Sequence, residues 1–142
     1  MNENQFNDPI FLIYHHFEQQ ILNFFEAQSI NQTIKSWLVL KVVIASEGIS
    51  QREIATRLGL NKVRVGRLLD QLEDEALVVR IGSPHDSREK NIYATKVAKG
   101  KNDLWNRQIN EMMKKSMQEI DPDLCIKGAD FLTSWLNSLR GN

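Results

Sequence analysis

Cysteine is almost absent from this chain. Cys125 stands alone, so no disulfide can form within the chain, and a reducing, cytoplasmic setting fits best. Beside an apolar stretch, that thiol reads as a structural one. Long hydrophobic runs are missing too. No stretch approaches the roughly 18 apolar residues of a membrane span, and the opening MNENQFNDP lacks the basic start of a signal peptide. Histidine is scarce, at three residues. His15 and His16 are adjacent, and neighbours on a helix point about 100° apart, which suits two ligands of one ion poorly, so no metal site is assigned. The seven glycines are scattered singly, which excludes a phosphate-cradling glycine-rich loop, and no nucleophile elbow occurs. These absences argue against an enzyme and against a cofactor.

What is present is an average globular composition, 42% hydrophobic and 25% charged over 142 residues. That length reads as a single domain, 1–142, with a sizeable core. A net charge of zero conceals a pattern. Between Arg52 and Lys101 there are 11 Lys/Arg against 7 Asp/Glu, a balance of +4, whereas residues 1–51 hold 2 against 5 and residues 102–142 hold 5 against 6. A basic middle between acidic flanks suits a polyanionic partner.

Apolar spacing predicts a helix from Pro9, placed at its first position, to Gln28, with Ile10, Ile13, Tyr14, Phe17, Ile21, Phe24 and Phe25 at intervals of three and four. Phe11 and Leu12 widen this face, which suggests burial against a second surface such as another subunit. A second helix is expected from the N-cap Thr33 to about Glu47, ended by Gly48, with Trp37, Leu38, Leu40, Val43 and Ile44 buried. Ser50-Gln51-Arg52-Glu53 reads as a capping box that opens a short third helix. Gly59 ends it, Leu60 plugs the turn and Asn61 caps a fourth helix to about Glu75, with Val65, Leu68, Leu69 and Leu72 inside. Val78-Val79-Arg80-Ile81 and Ile92-Tyr93-Ala94 read as a hairpin around the polar loop GSPHDSREKN. A long helix over Lys96 to Gln118 and a last one after Asp121-Pro122-Asp123, to about Leu139, complete the chain.

A short capped helix, a glycine turn, a helix with a basic face and a hairpin form a winged helix-turn-helix. The major groove of B-DNA, about 12 Å wide, admits one α-helix, and the preceding helix holds it at a fixed angle. Asn61, Lys62, Arg64 and Arg67 are the candidates for reaching bases and phosphates, with Ser50 and Gln51 at the start of the preceding helix. Arg88 and Lys90 in the hairpin loop are candidates for a minor-groove contact, with Asp86 placed to hold the Arg88 guanidinium. Arg80 has two readings, a phosphate contact or an ion pair with an acid of Glu73-Asp74-Glu75.

The stretch REIATRLGLNKVRVGRLLDQLEDEALVVR, followed by DSREKNIYATKVA, resembles the MarR family of winged-helix regulators, and most of all its SlyA-like branch. The resemblance covers about Thr33 to Ala98. Asp86 and Arg88 match the family's Asp-x-Arg wing motif, and Lys62 to Arg67 its DNA-contacting stretch. Two positions depart from the pattern. Ala76 stands where the family has a glycine, a position that often needs positive φ, and Ala94 stands where it has a leucine. The resemblance implies a mainly α fold with a small β-hairpin, in which 33–98 is the DNA-binding lobe and about 9–30 and 102–140 are dimerisation helices. It further implies a homodimer on a pseudo-palindromic site in double-stranded DNA, commonly a repressor released by a small aromatic or phenolic effector, whose binding residues carry no sequence motif. The competing class is a winged helix that docks proteins without reading DNA; the basic face of the fourth helix and the wing arginine argue against it.

Overall fold

A computed structural model describes residues 4–86 and 88–141. The elements run α1 (Asn4–Ala27), α2 (Ile34–Ala45), β1 (Ile49–Ser50), α3 (Gln51–Leu58), α4 (Lys62–Asp74), β2 (Val78–Gly82), β3 (Lys90–Ala94), α5 (Lys96–Ser116) and α6 (Pro122–Arg140). The chain divides into two compact units, residues 1–103 and 104–142, and α5 crosses the division. No helix among the described residues is long and apolar enough to cross a membrane.

Local capping chemistry explains the helix starts. The Thr33 hydroxyl accepts from the Ser36 amide while the Ser36 hydroxyl accepts from the Thr33 amide, a complete capping box. Ser50 accepts from the Glu53 amide, and Asn61 Oδ1 accepts from the Arg64 amide at 2.7 Å. Each side-chain oxygen satisfies a first-turn N–H that has no partner inside the helix. The predicted box at Ser50 forms only in its serine half, because the Glu53 carboxylate pairs with Arg57 at 3.1 Å one turn on.

Three helices close on left-handed residues. Ser29 (φ 54°), Gly59 (φ 63°) and Ala76 (φ 57°) each terminate a helix, and the amides of Ile30, Leu60 and Leu77 reach back to the carbonyls of Phe25, Ala55 and Leu72. This six-to-one bond is the mark of a Schellman ending, where the left-handed residue is usually glycine. The sequence expectation that position 76 needs positive φ holds, with alanine in the seat.

The core of the first unit lies where α2, α3 and α4 meet the sheet. Val39, Leu40, Val43, Ile54, Val65, Leu69, Leu72, Leu77, Val78 and Ile92 are fully buried. Leu38, Ile44 and Leu68, expected inside, are half-buried, and Val39 takes a central place instead. Trp37 stacks edge-on against Phe25 of α1 and donates its indole N–H to Asn102 Oδ1 at 2.8 Å.

The sheet has three strands, in the order β1-β3-β2, all antiparallel. β1, not expected from sequence, pairs Ile49 with Ile92 and Ser50 with Asn91. Glu47 ties the far end of β3 down, accepting from the Ala94 amide and pairing with Lys99 of α5.

Helix α1 departs from expectation at its start. It begins before Pro9, which lies inside the helix and not at its first position. A proline there removes one backbone N–H, and at an exposed helix end water can satisfy the orphaned carbonyl. Of the α1 side chains described, only Ile21 and Phe25 are buried, while Phe11, Leu12, Ile13, Tyr14 and Phe17 are exposed. In the second unit, α6 opens with Asp121 capping Asp123, and none of its residues is buried. Cys125 is half-buried there.

Candidate nucleic-acid interface

The turn between α3 and α4 fixes the face that α4 presents. With Val65, Leu69 and Leu72 turned inward, Lys62, Arg64 and Arg67 are exposed on the other side, and none has an acid within ion-pair distance among the described residues. Val63 shares that face, 66% exposed. The sequence reading missed it, although the spacing from Val65 signals it: two residues on a helix are about 200° apart, so one of the pair must face out.

Several of the expected contacts turn out to have internal partners. Gln51 donates Nε2 to the Lys62 carbonyl at 3.2 Å, and a Cβ at position 66 would come within 2.9 Å of that nitrogen. Gly66 therefore leaves room for the Gln51 amide to lie against α4. Ser50 and Asn61 use their side-chain oxygens as caps, which leaves their remaining polar groups at the exposed helix starts.

Of the two readings of Arg80, the structure shows the ion pair. Its guanidinium reaches Asp70 at 2.5 Å and Glu73 at 3.2 Å through both Nε and Nη2, and its side chain is only 16% exposed. These hydrogen bonds hold the Glu73 carboxyl below the usual carboxylate range and keep Arg80 firmly protonated. Glu73 was one of the three acids expected and Asp70 was not. Because Arg80 lies on β2 and both acids on α4, the pair fixes the wing against that helix.

The wing loop is a tight polar turn. Asp86 Oδ1 accepts from the backbone N–H of Arg88 at 2.9 Å, the Glu89 amide bonds to the Asp86 carbonyl, and the Ser83 amide to the Glu89 carbonyl. This corrects the sequence expectation: Asp86 holds the backbone under Arg88, in an Asx-type turn, and not its guanidinium. The Arg88 side chain is thereby left exposed at the tip. Glu89 pairs with Arg52 of α3 at 3.4 Å, a link between wing and helix-turn-helix that no local pattern announces.

Together these parts enclose an open cleft of about 520 Å³ between the start of α4 and the wing, lined by Gln51, Arg52, Lys62, Arg80, Asp86, Arg88, Glu89 and Lys90. Five of those eight are cationic, and of these Lys62, Arg88 and Lys90 line it without an acid partner within ion-pair distance among the described residues. A cleft of this charge suits the phosphates of a polyanion. Elsewhere, His15 and His16 lie edge to face with ring centroids 5.5 Å apart, and the described residues hold no group of three metal-ligating side chains.

Residues 27–89 match the model of the MarR family. No curated protein sequence matches the chain at a significant level. Among solved structures, Streptococcus pneumoniae FabT in complex with DNA is similar, with 18% identity, a TM-score of 0.76, and 97% of this chain and 99% of that one covered. MarR from E. coli in its apo form gives 15% identity and a TM-score of 0.77, over 92% and 96%. MepR, a transcription regulator of the Staphylococcus aureus multidrug efflux pump MepA, gives 22% identity and a TM-score of 0.74, over 95% and 98%. At these identities the likeness establishes the winged-helix fold.

Proposed function

We propose that this chain, whose residues 27–89 match the MarR family model, is a transcription regulator that binds double-stranded DNA by sequence. The observation that carries this reading is the cleft lined by Lys62 at the start of α4 and Arg88 at the wing tip, neither with an ion-pair partner among the described residues. Helix α4 enters the major groove. Arg64 reaches a base edge near its start, Val63 offers methyl groups to a thymine methyl, and Arg67, a turn further on, meets the backbone. Lys62 and Lys90 neutralise phosphates on either side of the cleft. Arg88 enters the adjacent minor groove. Ser50, Gln51, Asn61, Arg80 and Asp86 hold these groups in place.

Two copies complete the reader. The bare apolar faces of α1 and α6 are the dimerisation surfaces about the DNA-binding lobe, and the site is a pseudo-palindrome with half-sites about one helical turn apart. Repression relieved by a small aromatic or phenolic effector, in the cytoplasm and with no catalysis, completes the reading. A protein-docking role draws on the exposed Val79 and Ile81 of edge strand β2.

The test is selection of bound sequences from random duplex DNA, followed by titration of the winner at several salt concentrations. A two-fold consensus and a steep loss of affinity with salt support the reading. Absence of any enriched sequence, or binding indifferent to salt, overturns it.

A further inference from the structure

The far end of the recognition helix is built unusually. Glu75 caps the C-terminus of α4, where the helix dipole disfavours an acid, and the next residue is the left-handed Ala76. Two locally unfavourable choices in succession point to a constraint other than helix stability.

That constraint is visible around the carboxylate. Asn31 Nδ2 donates to Glu75 Oε1 at 2.9 Å, and Gln32 Nε2 donates to Glu75 Oε2. The orientation of the Gln32 amide is set from behind: its Oε1 accepts from the Ser36 hydroxyl at 2.6 Å. Gln32 and Ser36 are both buried, so their polar groups depend on these partners. Gln71, one turn earlier on α4, donates to the Asn31 carbonyl at 3.0 Å. Three hydrogen bonds thus join the α1–α2 corner to the end of α4 across some forty residues of sequence.

We propose that Glu75, Gln32 and Asn31 form a clamp that sets the angle of the recognition helix against the α1–α2 corner. Through it the state of α1, the proposed dimer helix, reaches the DNA-reading face. This rests on the DNA-binding reading above. Glu75 is a positioning residue: it lies at the opposite end of α4 from Lys62 and Arg64 and touches no base. Base readout depends on helix placement, whereas phosphate attraction tolerates small displacements. Loosening the clamp therefore erodes operator binding and spares random DNA.

The experiment exchanges the charge across the clamp. Gln32→Glu places two carboxylates face to face and forces the joint apart. Adding Glu75→Gln rebuilds every bond. The carboxylate now at position 32 accepts from the Ser36 hydroxyl and from the amide now at position 75, whose oxygen accepts from Asn31. Titrations use the full-length wild type, single and double variants on the selected operator and on a random duplex. Circular dichroism checks that each is folded at the assay temperature. The expected result is a loss of about tenfold on the operator for Gln32→Glu, little change on random DNA, and recovery in the double variant. Unchanged operator affinity in a folded Gln32→Glu protein overturns the clamp, as does a double variant that fails to recover. If Gln32→Glu does not fold, Glu75→Ala, which removes the acceptors without adding charge, is read by the same criterion: a selective operator loss supports the clamp and none overturns it. A wild type that binds neither duplex refutes the DNA reading itself, a separate outcome.

Discussion

Helices α4 and α6 carry similar apolar spacing and meet opposite fates. In α4 the stripe Val65, Leu69, Leu72 is buried to the last atom. In α6 the stripe Leu124, Phe131, Leu132, Trp135, Leu136 and Leu139 stays exposed from end to end. Helix α1 behaves like α6 over its first half. Periodicity defines a face on a helix and does not say whether the same chain covers it. Single exposed apolar residues are ordinary, whereas a continuous stripe marks an interface. The winged-helix lobe has its core in hand; on the proposed reading, the terminal helices wait for a second copy.

Substitutions in the two regions should break this contrast apart. Leu69→Ala should cost about 2–5 kcal/mol through lost burial and a residual cavity, whatever the protein concentration. Leu132→Asp should leave the folded lobe intact and shift the monomer–dimer midpoint upward by at least about tenfold, since a charge buried unpaired at an interface costs more than about 1.4 kcal/mol. Sedimentation against concentration separates them. A wild type that runs as a 16.4 kDa monomer at micromolar concentration, or a Leu132→Asp variant indistinguishable from wild type, would remove the second copy and the two-fold operator with it.

Within α4 the contrast sharpens to single side chains. Arg64→Ala should lose about 1–3 kcal/mol on the selected operator and relax one base position, while Arg67→Ala should weaken operator and random DNA alike. Equal losses for both variants on both duplexes would refute the division of labour between them.

The wing allows a finer distinction. Arg88→Ala should lower the salt slope by about one unit per subunit for each phosphate neutralisation lost and should hurt most on A·T-rich flanks. Asp86→Asn, whose Oδ1 can still accept from the Arg88 amide, should bind as wild type does, whereas Asp86→Ala should give a mild version of the Arg88 loss. Were Asp86→Asn as damaging as Asp86→Ala, the carboxylate charge and not the turn would be what matters.

How much of this was legible beforehand follows from the range of each interaction. The caps Thr33, Ser50 and Asn61 act within three residues, so the helix starts of the lobe could be read directly. The hairpin could be read from β-branched runs around a polar loop, but β1 could not: two residues form a strand only because β3 is there to pair with them. The partners of Arg80 were legible in kind and only partly in identity, since reaching Asp70 depends on how β2 lies along α4. The backbone role of Asp86 was signalled by an Asp two residues before the amide it binds, an Asx pattern, and the family motif drew attention to the side chain instead. The joint at Glu75 spans some forty residues and leaves no local trace.

The smallest effect concerns the helix ends. Ala76 and Gly59 occupy the same place in two Schellman endings, at φ 57° and 63°. A left-handed residue with a Cβ costs roughly 1–2 kcal/mol, and glycine returns roughly 0.5–1 kcal/mol of that through its greater freedom when unfolded. Ala76→Gly should therefore stabilise the protein by about 0.5–1 kcal/mol, which for a chain of this size raises Tm by about 1–4 °C. The hydrogen bonds of the corner survive the change, because the Thr95 hydroxyl donates to the Ala76 carbonyl and the Ala76 amide to the Glu73 carbonyl. Gly59→Ala should do the reverse by a similar amount. A Cβ there meets open space, so backbone strain is the whole of its cost. Thermal unfolding of the two variants side by side checks the pair, and two shifts of the same sign would show that φ at these corners is not what sets their stability.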